Sequence, residues 1–435
     1  MAESSTISYG RYLRTLRERQ GLSLLRVCEL SAGFADPIDK GTLSRYEHGR
    51  QAPAIFKLVP LARIYGVSAD ALVERLELDR ELHRTGAPTT AGLSFVELQR
   101  LGKRSLVETD RKWDAYGYLR DALSPENTKD RSQGRLAAAR MNFITAARAL
   151  GMNRFALHEL RHLEASQAVE PHREAILFER LANCYRCLGE FDQGRAYADR
   201  AIASAEHLKE WRVLAYAYLA RANLALDRGD PESAIQDQKR VFHALRRADG
   251  RKCLLEPNAS FAAGSLNLLA ESYLELKQLE RSKRAALAAK KLSGDNRLPG
   301  ALGFAEVTLG RLDELQGLEE RARDRWSEAG RIAKAIRNTK LEFTAEFFVF
   351  RQVTLRGDSA LARASRRRLE RLEPCVPAHL PLLEEYRELT ATGSTHSAFD
   401  ARPQRRHRTG AGAQIRRNEA LGRRPGDSLT KGEEV

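Results

Sequence analysis

The stretch DKGTLSRYEHGR, residues 39–50, decides how the N-terminal part of this chain is interpreted. Asp39 is placed to cap a helix by accepting a backbone N–H, and Gly49 is placed to end that helix. Leu43 and Tyr46 are three residues apart and therefore fall on one face of it. The stretch predicts a short helix with an apolar side that docks on a domain and a polar side left outward.

Four further short helices are predicted on either side of this stretch, within residues 7–78. Gly21 permits a left-handed exit from the first helix, and Ser23 and Ser68 are placed to cap the second and the fifth. Pro53 precedes the fourth helix, where its fixed φ suits a helix start. We expect a compact five-helix domain.

The five predicted helices resemble the lambda-repressor-like, or xenobiotic-response-element, helix-turn-helix family. The residues that carry the resemblance are Leu16-Arg17, Gly21-Leu22-Ser23, Thr42 to Arg50, Pro53, Leu61-Ala62 and Tyr65-Gly66-Val67-Ser68. The match covers about 70 residues. The chain departs from the family pattern at Leu24, where the family commonly has Gln, and in the turn over residues 32–38, which is longer than usual.

The resemblance implies that the chain binds double-stranded DNA, with the helix that starts after Asp39 lying in the major groove. The positions that it implies as base-facing are Lys40, Gly41, Thr42, Ser44 and Arg45. The positions that it implies as phosphate contacts are Ser23, His48 and Arg50. Arg17 and Glu47 match a structural ion pair that ties the first helix to the end of the recognition helix. Base contacts carry the sequence information, whereas phosphate contacts fix the register.

A repeat with a period near 40 residues runs through the C-terminal two thirds of the chain. Its turn positions, spaced by 38, 40, 48, 40 and 40 residues, are Gly151, Gly189, Gly229, Lys277, Gly317 and Gly357. Small side chains follow them by five residues, at Ala156, Gly194, Ala234, Ser282, Ala322 and Ala362. Small or apolar residues precede them by seven, at Ile144, Ala182, Ala222, Ala270, Gly310 and Phe350. This spacing predicts stacked pairs of antiparallel helices whose backbones approach closely. An insertion around residues 249–258 explains the 48-residue step.

The repeats resemble the tetratricopeptide repeat family. The best single match is LANCYRCLGEFDQGRAYADRA, residues 181–201, followed by the turn at Gly229. The resemblance covers roughly residues 131–375, within an α-solenoid of about six helix hairpins that we expect over residues 131–392. It implies a surface that binds a peptide, a protein or a small effector, or that mediates self-association. A plain helical scaffold is the alternative.

Charge and composition favour a cytoplasmic protein with a polyanionic partner. The net charge is +15, and nucleic acid is the natural partner for such an excess of basic residues. The chain shows no run of about 18 apolar residues and no secretory signal, so we expect neither a membrane span nor export. The five cysteines are too few and too scattered for a disulfide framework.

Two segments are predicted to lie outside the two domains. Residues 79–130 are expected to form a linker with short helices, because residues 86–92 have linker composition and Ser124-Pro125 marks a second break. Residues 393–435 are expected to be a disordered basic tail, because the apolar content collapses there.

The segment His158-Glu159-Leu160-Arg161-His162 fits the HExxH pattern, in which two histidines bind Zn²⁺ and the glutamate acts as a general base. Glu179 is the nearest plausible third ligand. The segment lies in the second helix of the first repeat, however, whose predicted inward positions include Ala156 and Leu163. A short pattern without its structural context is only a hypothesis. We keep a zinc metallopeptidase as the alternative and predict no metal site, no cofactor and no enzymatic activity.

The sequence as a whole predicts an all-α protein: a bacterial, nucleoid-associated transcription regulator that binds two DNA half-sites as a homodimer. A protein-interaction scaffold that does not bind DNA is the other alternative.

Overall fold

The computed structural model describes residues 5–86, 88–107, 111–250, 259–376 and 380–391. Within these ranges the regular secondary structure is helical, with no strand, which confirms the all-α prediction. None of the described helices is both long enough and apolar enough to span a bilayer. The predicted basic tail lies outside the described residues.

Five helices form the N-terminal domain, as predicted. They are α1 (Ser5–Arg19), α2 (Leu24–Ser31), α3 (Lys40–Glu47), α4 (Ile55–Tyr65) and α5 (Ala69–Thr85). The predicted caps are present, because the side chains of Ser23, Asp39 and Ser68 each accept a backbone N–H three residues further on. Gly21 and Gly49 adopt left-handed conformations, with φ of 65° and 67°.

Residues 79–130 hold the end of α5 and three further helices. These are α6 (Phe95–Val107), α7 (Lys112–Ala122) and α8 (Pro125–Thr128). α5 continues to Thr85 because Leu78 and Leu82, both fully buried, extend its apolar stripe. A charged network inside the core joins this region to α1, since Arg75 pairs with Asp79 at 2.9 Å and donates to the Ser8 hydroxyl at 3.1 Å.

Six helical hairpins follow, which confirms the predicted number. They pair α9 (Gln133–Ala149) with α10 (Asn153–Ala165), α11 (Pro171–Cys187) with α12 (Phe191–His207), α13 (Trp211–Asp227) with α14 (Pro231–Asp249), α15 (Ala259–Glu275) with α16 (Leu279–Asp295), α17 (Pro299–Leu315) with α18 (Glu319–Ala335), and α19 (Thr339–Leu355) with α20 (Ser359–Leu372). All six predicted turn positions have positive φ, between 58° and 93°. Two 17-residue helices and two three-residue turns account for the period of 40.

Small residues bring the helices of a hairpin together. A Cβ at Gly194 in α12 would lie 3.2 Å from the carbonyl oxygen of Ala182 in α11. A Cβ at Gly310 in α17 would overlap the indole of Trp326 in α18, which is fully buried. The positions seven residues before each turn are all buried, as the predicted close approach requires.

The hairpins end in a 3₁₀ turn (Glu373–Cys375) and α21 (Pro381–Ala391). The ring of Tyr386 in α21 packs edge-on against Phe343 and Phe350 of α19, with centroid distances of 5.9 and 5.7 Å. These contacts cover the last hairpin.

The N-terminal domain and the first two hairpins share one apolar core. The core runs from Tyr9 in α1 through Tyr116 in α7 and Phe155 in α10 to Tyr185 in α11. α10 packs on α5 as well as on its hairpin partner α9. The position of α3 is therefore linked by packed side chains to the first repeats.

Candidate DNA-binding surface

α3 presents two different sides. Leu43 and Tyr46 are 0% and 3% exposed and pack into the core, as predicted. Lys40, Gly41 and Arg45 lie on the exposed side. This division comes directly from the three-residue spacing of the two apolar side chains, which places them on one stripe of the helix.

The backbone of α1 packs closely against the end of α3, a contact that the sequence analysis did not predict. A Cβ at Gly10 would lie 2.7 Å from the carbonyl oxygen of Glu47 and would also overlap that of Tyr46. Gly49, just after α3, faces the Ile7 backbone in the same way. The glycines at positions 10 and 49 let the end of α3 rest on α1, because any side chain would force the two apart.

Arg17 and Glu47 join α1 to the end of α3. Nε and Nη2 of Arg17 donate to the two carboxylate oxygens of Glu47 at 2.7 and 2.8 Å, and Nη1 donates to the Leu22 carbonyl at 2.8 Å. Hydrogen bonding to Glu47 raises the pKa of Arg17 above its ordinary value. The pair is largely shielded, with side chains 12% and 4% exposed. It orients α3 relative to α1, and its two charges neutralise each other.

The long turn between α2 and α3 is closed by Ser31, a second residue that sequence reasoning missed. The Ser31 hydroxyl accepts the Ile38 amide at 2.8 Å and donates to the Cys28 carbonyl at 2.8 Å. Both Ser31 and Ile38 are buried. Lys57 of α4 donates to the Pro37 carbonyl at 2.8 Å. These hydrogen bonds hold the turn at Ser31 and at Pro37, and they thereby fix the position at which α3 starts.

Hydrogen bonds along the outer side of α3 orient its polar groups. Asp39 accepts the amide and the hydroxyl of Thr42 at 2.8 and 2.6 Å, and these bonds lower the pKa of Asp39. Nη2 of Arg45 donates to the Thr42 hydroxyl at 2.8 Å. At the other end, Nδ1 of His48 lies 2.7 Å from the Ser44 carbonyl. The five predicted base-facing positions therefore lie within one helix, on its exposed or half-buried surface.

The predicted phosphate contacts lie at helix ends. The Ser23 hydroxyl accepts the Arg26 amide at 3.1 Å at the start of α2, and Ser23 itself is exposed. His48 and Arg50 are exposed just after α3. A helix N-terminus offers free N–H groups and a positive dipole end to an anion.

Lys40 occupies an unfavourable place for the stability of α3. It stands in the first turn, where the helix dipole is positive, and the only acidic group beside it there is the N-cap carboxylate of Asp39. Within the described residues it forms no ion pair and donates no side-chain hydrogen bond. Lys40 therefore keeps an exposed positive charge at the start of α3.

The glutamate of the HExxH segment, Glu159, joins α10 of the first repeat to α1 of the N-terminal domain. Glu159 is buried, and its two oxygens accept Nη1 and Nη2 of Arg19 at 2.8 and 3.0 Å, with the Tyr12 hydroxyl as a third donor at 3.2 Å. Burial opposes ionisation of Glu159, but the charge and hydrogen bonds of Arg19 outweigh it and lower its pKa. Burial lowers the pKa of both His158 and His162. A carboxylate held by three donors in this way is not placed to act as a general base.

The third ligand suggested by the zinc alternative, Glu179, is engaged elsewhere. Its carboxylate accepts Nδ2 of Asn183 at 2.7 Å within α11. Among the residues that the structure describes, no three His, Cys, Asp or Glu side chains are grouped to hold a metal ion.

Comparison with known proteins identifies the N-terminal domain. Residues 8–76 match the family model described as "Helix-turn-helix domain", which confirms the predicted resemblance for this part of the chain. No curated protein matches the chain.

Several solved structures match the chain at low sequence identity and with TM-scores below 0.5. PlcR of Bacillus thuringiensis, solved with the peptide PapR7 and DNA, is 14% identical over 76% of this chain and 96% of its own, with a TM-score of 0.32. BtubC of P. vanneervenii is 17% identical over 57% and 94%, with a TM-score of 0.36. A signal transduction ATPase with numerous domains and a tetratricopeptide repeat sensor, from Pyrococcus horikoshii, is 13% identical over 82% and 54%, with a TM-score of 0.46.

Proposed function

We propose that this chain is a bacterial, cytoplasmic transcription regulator that binds double-stranded DNA through α3 and senses an effector through its helical repeats. A helix that enters the major groove needs an apolar side docked on its domain and a polar side directed at the base edges. α3 meets both needs, since Leu43 and Tyr46 are buried while Lys40 and Arg45 are exposed. This division of α3 is the observation that carries the proposal.

The second part of the proposal is a homodimer. A single small domain contacts few bases, whereas two copies can bind half-sites about 34–36 Å apart. α4 is separated from α3 by seven residues and exposes three apolar side chains in its first turns: Ile55, Phe56 and Val59 are 74%, 53% and 44% exposed. Adjacent exposed apolar side chains mark an interaction surface. We assign this surface to a second copy of the chain, next to the recognition helix.

The third part is that the repeats control the DNA-binding domain. A ligand changes a conformation only if it binds one arrangement better than another. The shared core and the Arg19–Glu159 pair supply a direct route, because any shift of α10 would also move α1 and the α3 that rests on it. A peptide, protein or small effector on the repeats would act through this junction.

Selection of genomic DNA fragments by the full-length protein tests the DNA-binding function. We expect enrichment of a site with two-fold symmetry, and loss of that enrichment in the Lys40→Ala/Arg45→Ala double variant. Absence of any enriched site, even at low salt where phosphate contacts are strongest, would contradict the proposal and favour the protein-interaction scaffold.

Sedimentation analysis of the full chain tests the homodimer. Phe56→Ser should shift the protein towards the monomer, because it removes an apolar side chain from the assigned surface. Leu287→Ser in α16 is the matched control, since Leu287 is a comparably exposed leucine, at 46%, in the repeats. A wild-type monomer at all concentrations, or equal shifts in both variants, would contradict this part.

A further inference from the structure

Three helices, α6 before the repeats and α9 and α11 within them, bring together more positive charge than they neutralise. α9 contains Arg135, Arg140 and Arg148 and no acidic residue.

α6 and α11 both pack on α9, and Nδ2 of Asn142 in α9 donates to Gln99 in α6 at 2.9 Å. One helical turn beyond Gln99 stands Lys103, which is repelled by the nearby Arg173 and Arg180 of α11.

Three of these cations form no direct ion pair among the described residues. We call Lys103, Arg148 and Arg180 the cationic cluster; within the described part of the chain none of them forms an ion pair or donates a side-chain hydrogen bond. Nε of Arg148 and Nη1 of Arg180 are buried without an acceptor. Both arginines keep part of their surface open to solvent. A buried donor of a charged group that is left unpaired is costly, so such a group usually has a partner.

The nearest carboxylates do not fill this role. Glu179 accepts a hydrogen bond from Asn183, and burial raises its pKa although Arg148 and Arg180 both pull it down. Glu170 is engaged with Arg173 at 3.2 Å. Burial lowers the pKa of Arg180 to about 10, with Arg148 adding to the effect against the opposing charge of Glu179. The buried donors of Arg148 and Arg180 therefore have no carboxylate oxygen to accept them.

We propose that the cationic cluster between α6, α9 and α11 is an oxyanion-binding site that takes a carboxylate or a phosphate group of the effector. A guanidinium presents a planar fork of N–H donors that matches both groups in two-pronged geometry. An oxyanion there would supply acceptors for the unpaired donors of Arg148 and Arg180 and neutralise their mutual repulsion. The inference rests on the proposed sensing role, for which it names the ligand chemistry.

Thermal unfolding of the full chain tests the site with two probes, inorganic phosphate and a capped hexaglutamate peptide, each compared with NaCl at equal ionic strength. We expect at least one probe to raise the wild-type midpoint by about 2 °C or more at saturation. A response to phosphate alone would identify a phosphate-bearing ligand, and a response to the peptide alone a carboxylate-bearing one. Arg148→Gln and Arg180→Gln should abolish the rise, whereas Arg284→Gln, at an exposed arginine of α16, should keep it.

The unfolding midpoints measured without any probe distinguish a lost binding site from a variant that is merely unstable. Without any probe, Arg180→Gln should unfold at or above the wild-type midpoint, because it removes a buried charge that has no partner. A lower midpoint would show that Arg180 is already satisfied inside the protein and would overturn the proposal. So would the absence of a rise with both probes, or an equal rise in the wild type and in Arg180→Gln.

Fragment selection on the same preparations separates the two proposals. If the wild type selects an operator while neither probe acts on the cluster, the oxyanion site fails and the regulator stands. If no operator is selected, the regulator itself fails.

Discussion

Arg19 in α1 and Glu159 in α10 form a two-pronged ion pair across the junction of the DNA-binding domain and the repeats. Nη1 lies 2.8 Å from Oε1 and Nη2 lies 3.0 Å from Oε2. The side chains are 17% and 10% exposed, so water competes little for either of them. The glutamate of a pattern that suggests zinc chemistry thus holds two domains together.

Glu159→Ala should lower the free energy of unfolding by about 3 kcal/mol, because it leaves the Arg19 charge shielded and without its partner. Urea unfolding of the full chain measures the change. Glu328→Ala in α18 is the control: this glutamate pairs with Arg331 at the surface, where the side chains are 39% and 77% exposed, and its loss should cost less than about 0.5 kcal/mol. Similar losses in the two variants would show that the junction pair is no more important than a surface pair.

The same pair predicts a pH dependence with a defined sign. Because the pKa of Glu159 is lowered in the folded protein, its contribution to stability is complete above the ordinary glutamate pKa of about 4.3 and is lost as the pH falls through the lowered value. Glu159→Gln removes this titration. The stability difference between wild type and Glu159→Gln should therefore shrink as the pH falls from about 5 to 3, and a difference that stays constant or grows would rule out the ion pair as its source.

Local rules predicted the helix ends and turns well. The caps at Ser23, Asp39 and Ser68 and the left-handed turn at Gly21 depend on a few neighbouring residues, so the sequence contains all that is needed to place them. The buried side of α3 followed from the spacing of two apolar residues for the same reason.

Contacts between residues that are far apart in the chain were not predicted from the sequence. Ser31 closes a turn by bonding to a residue seven positions away, and Gly10 packs against a helix that begins thirty residues later. Glu159 occupies an apolar helix face only because Arg19, 140 residues earlier in the chain, meets it there. In each case the role of the residue depends on the residue that it contacts, and a single sequence does not say which residue that is.

Arg45 and Arg50 should differ in how their loss affects DNA binding. Arg45→Ala should weaken binding to the selected operator by about 1–3 kcal/mol and relax its sequence preference, since an arginine that contacts a base edge carries specificity. Arg50→Ala should weaken operator and random DNA about equally and reduce the salt dependence by roughly one charge. Titrations of both DNAs at several salt concentrations measure these effects.

The control for both variants is Arg84→Ala, at a surface arginine near the end of α5 that pairs with Glu81. It should leave both affinities unchanged. Equal losses on operator and random DNA for Arg45→Ala would place Arg45 on the phosphate backbone and not on a base.

Lys277→Gly should stabilise the repeats by about 0.5–1 kcal/mol. Lys277 holds the turn between α15 and α16 at φ 58°, a left-handed conformation that costs a residue with a Cβ roughly 1–2 kcal/mol, partly offset in the variant by the greater freedom of glycine in the unfolded chain. Its side chain is exposed, so little packing is lost. The reverse change, Gly317→Lys, at the equivalent turn with φ 75°, should destabilise by a similar amount. Urea midpoints of both variants measure the two effects, and a lower midpoint for Lys277→Gly would mean that the lysine side chain, and not the backbone conformation, determines the stability of this turn.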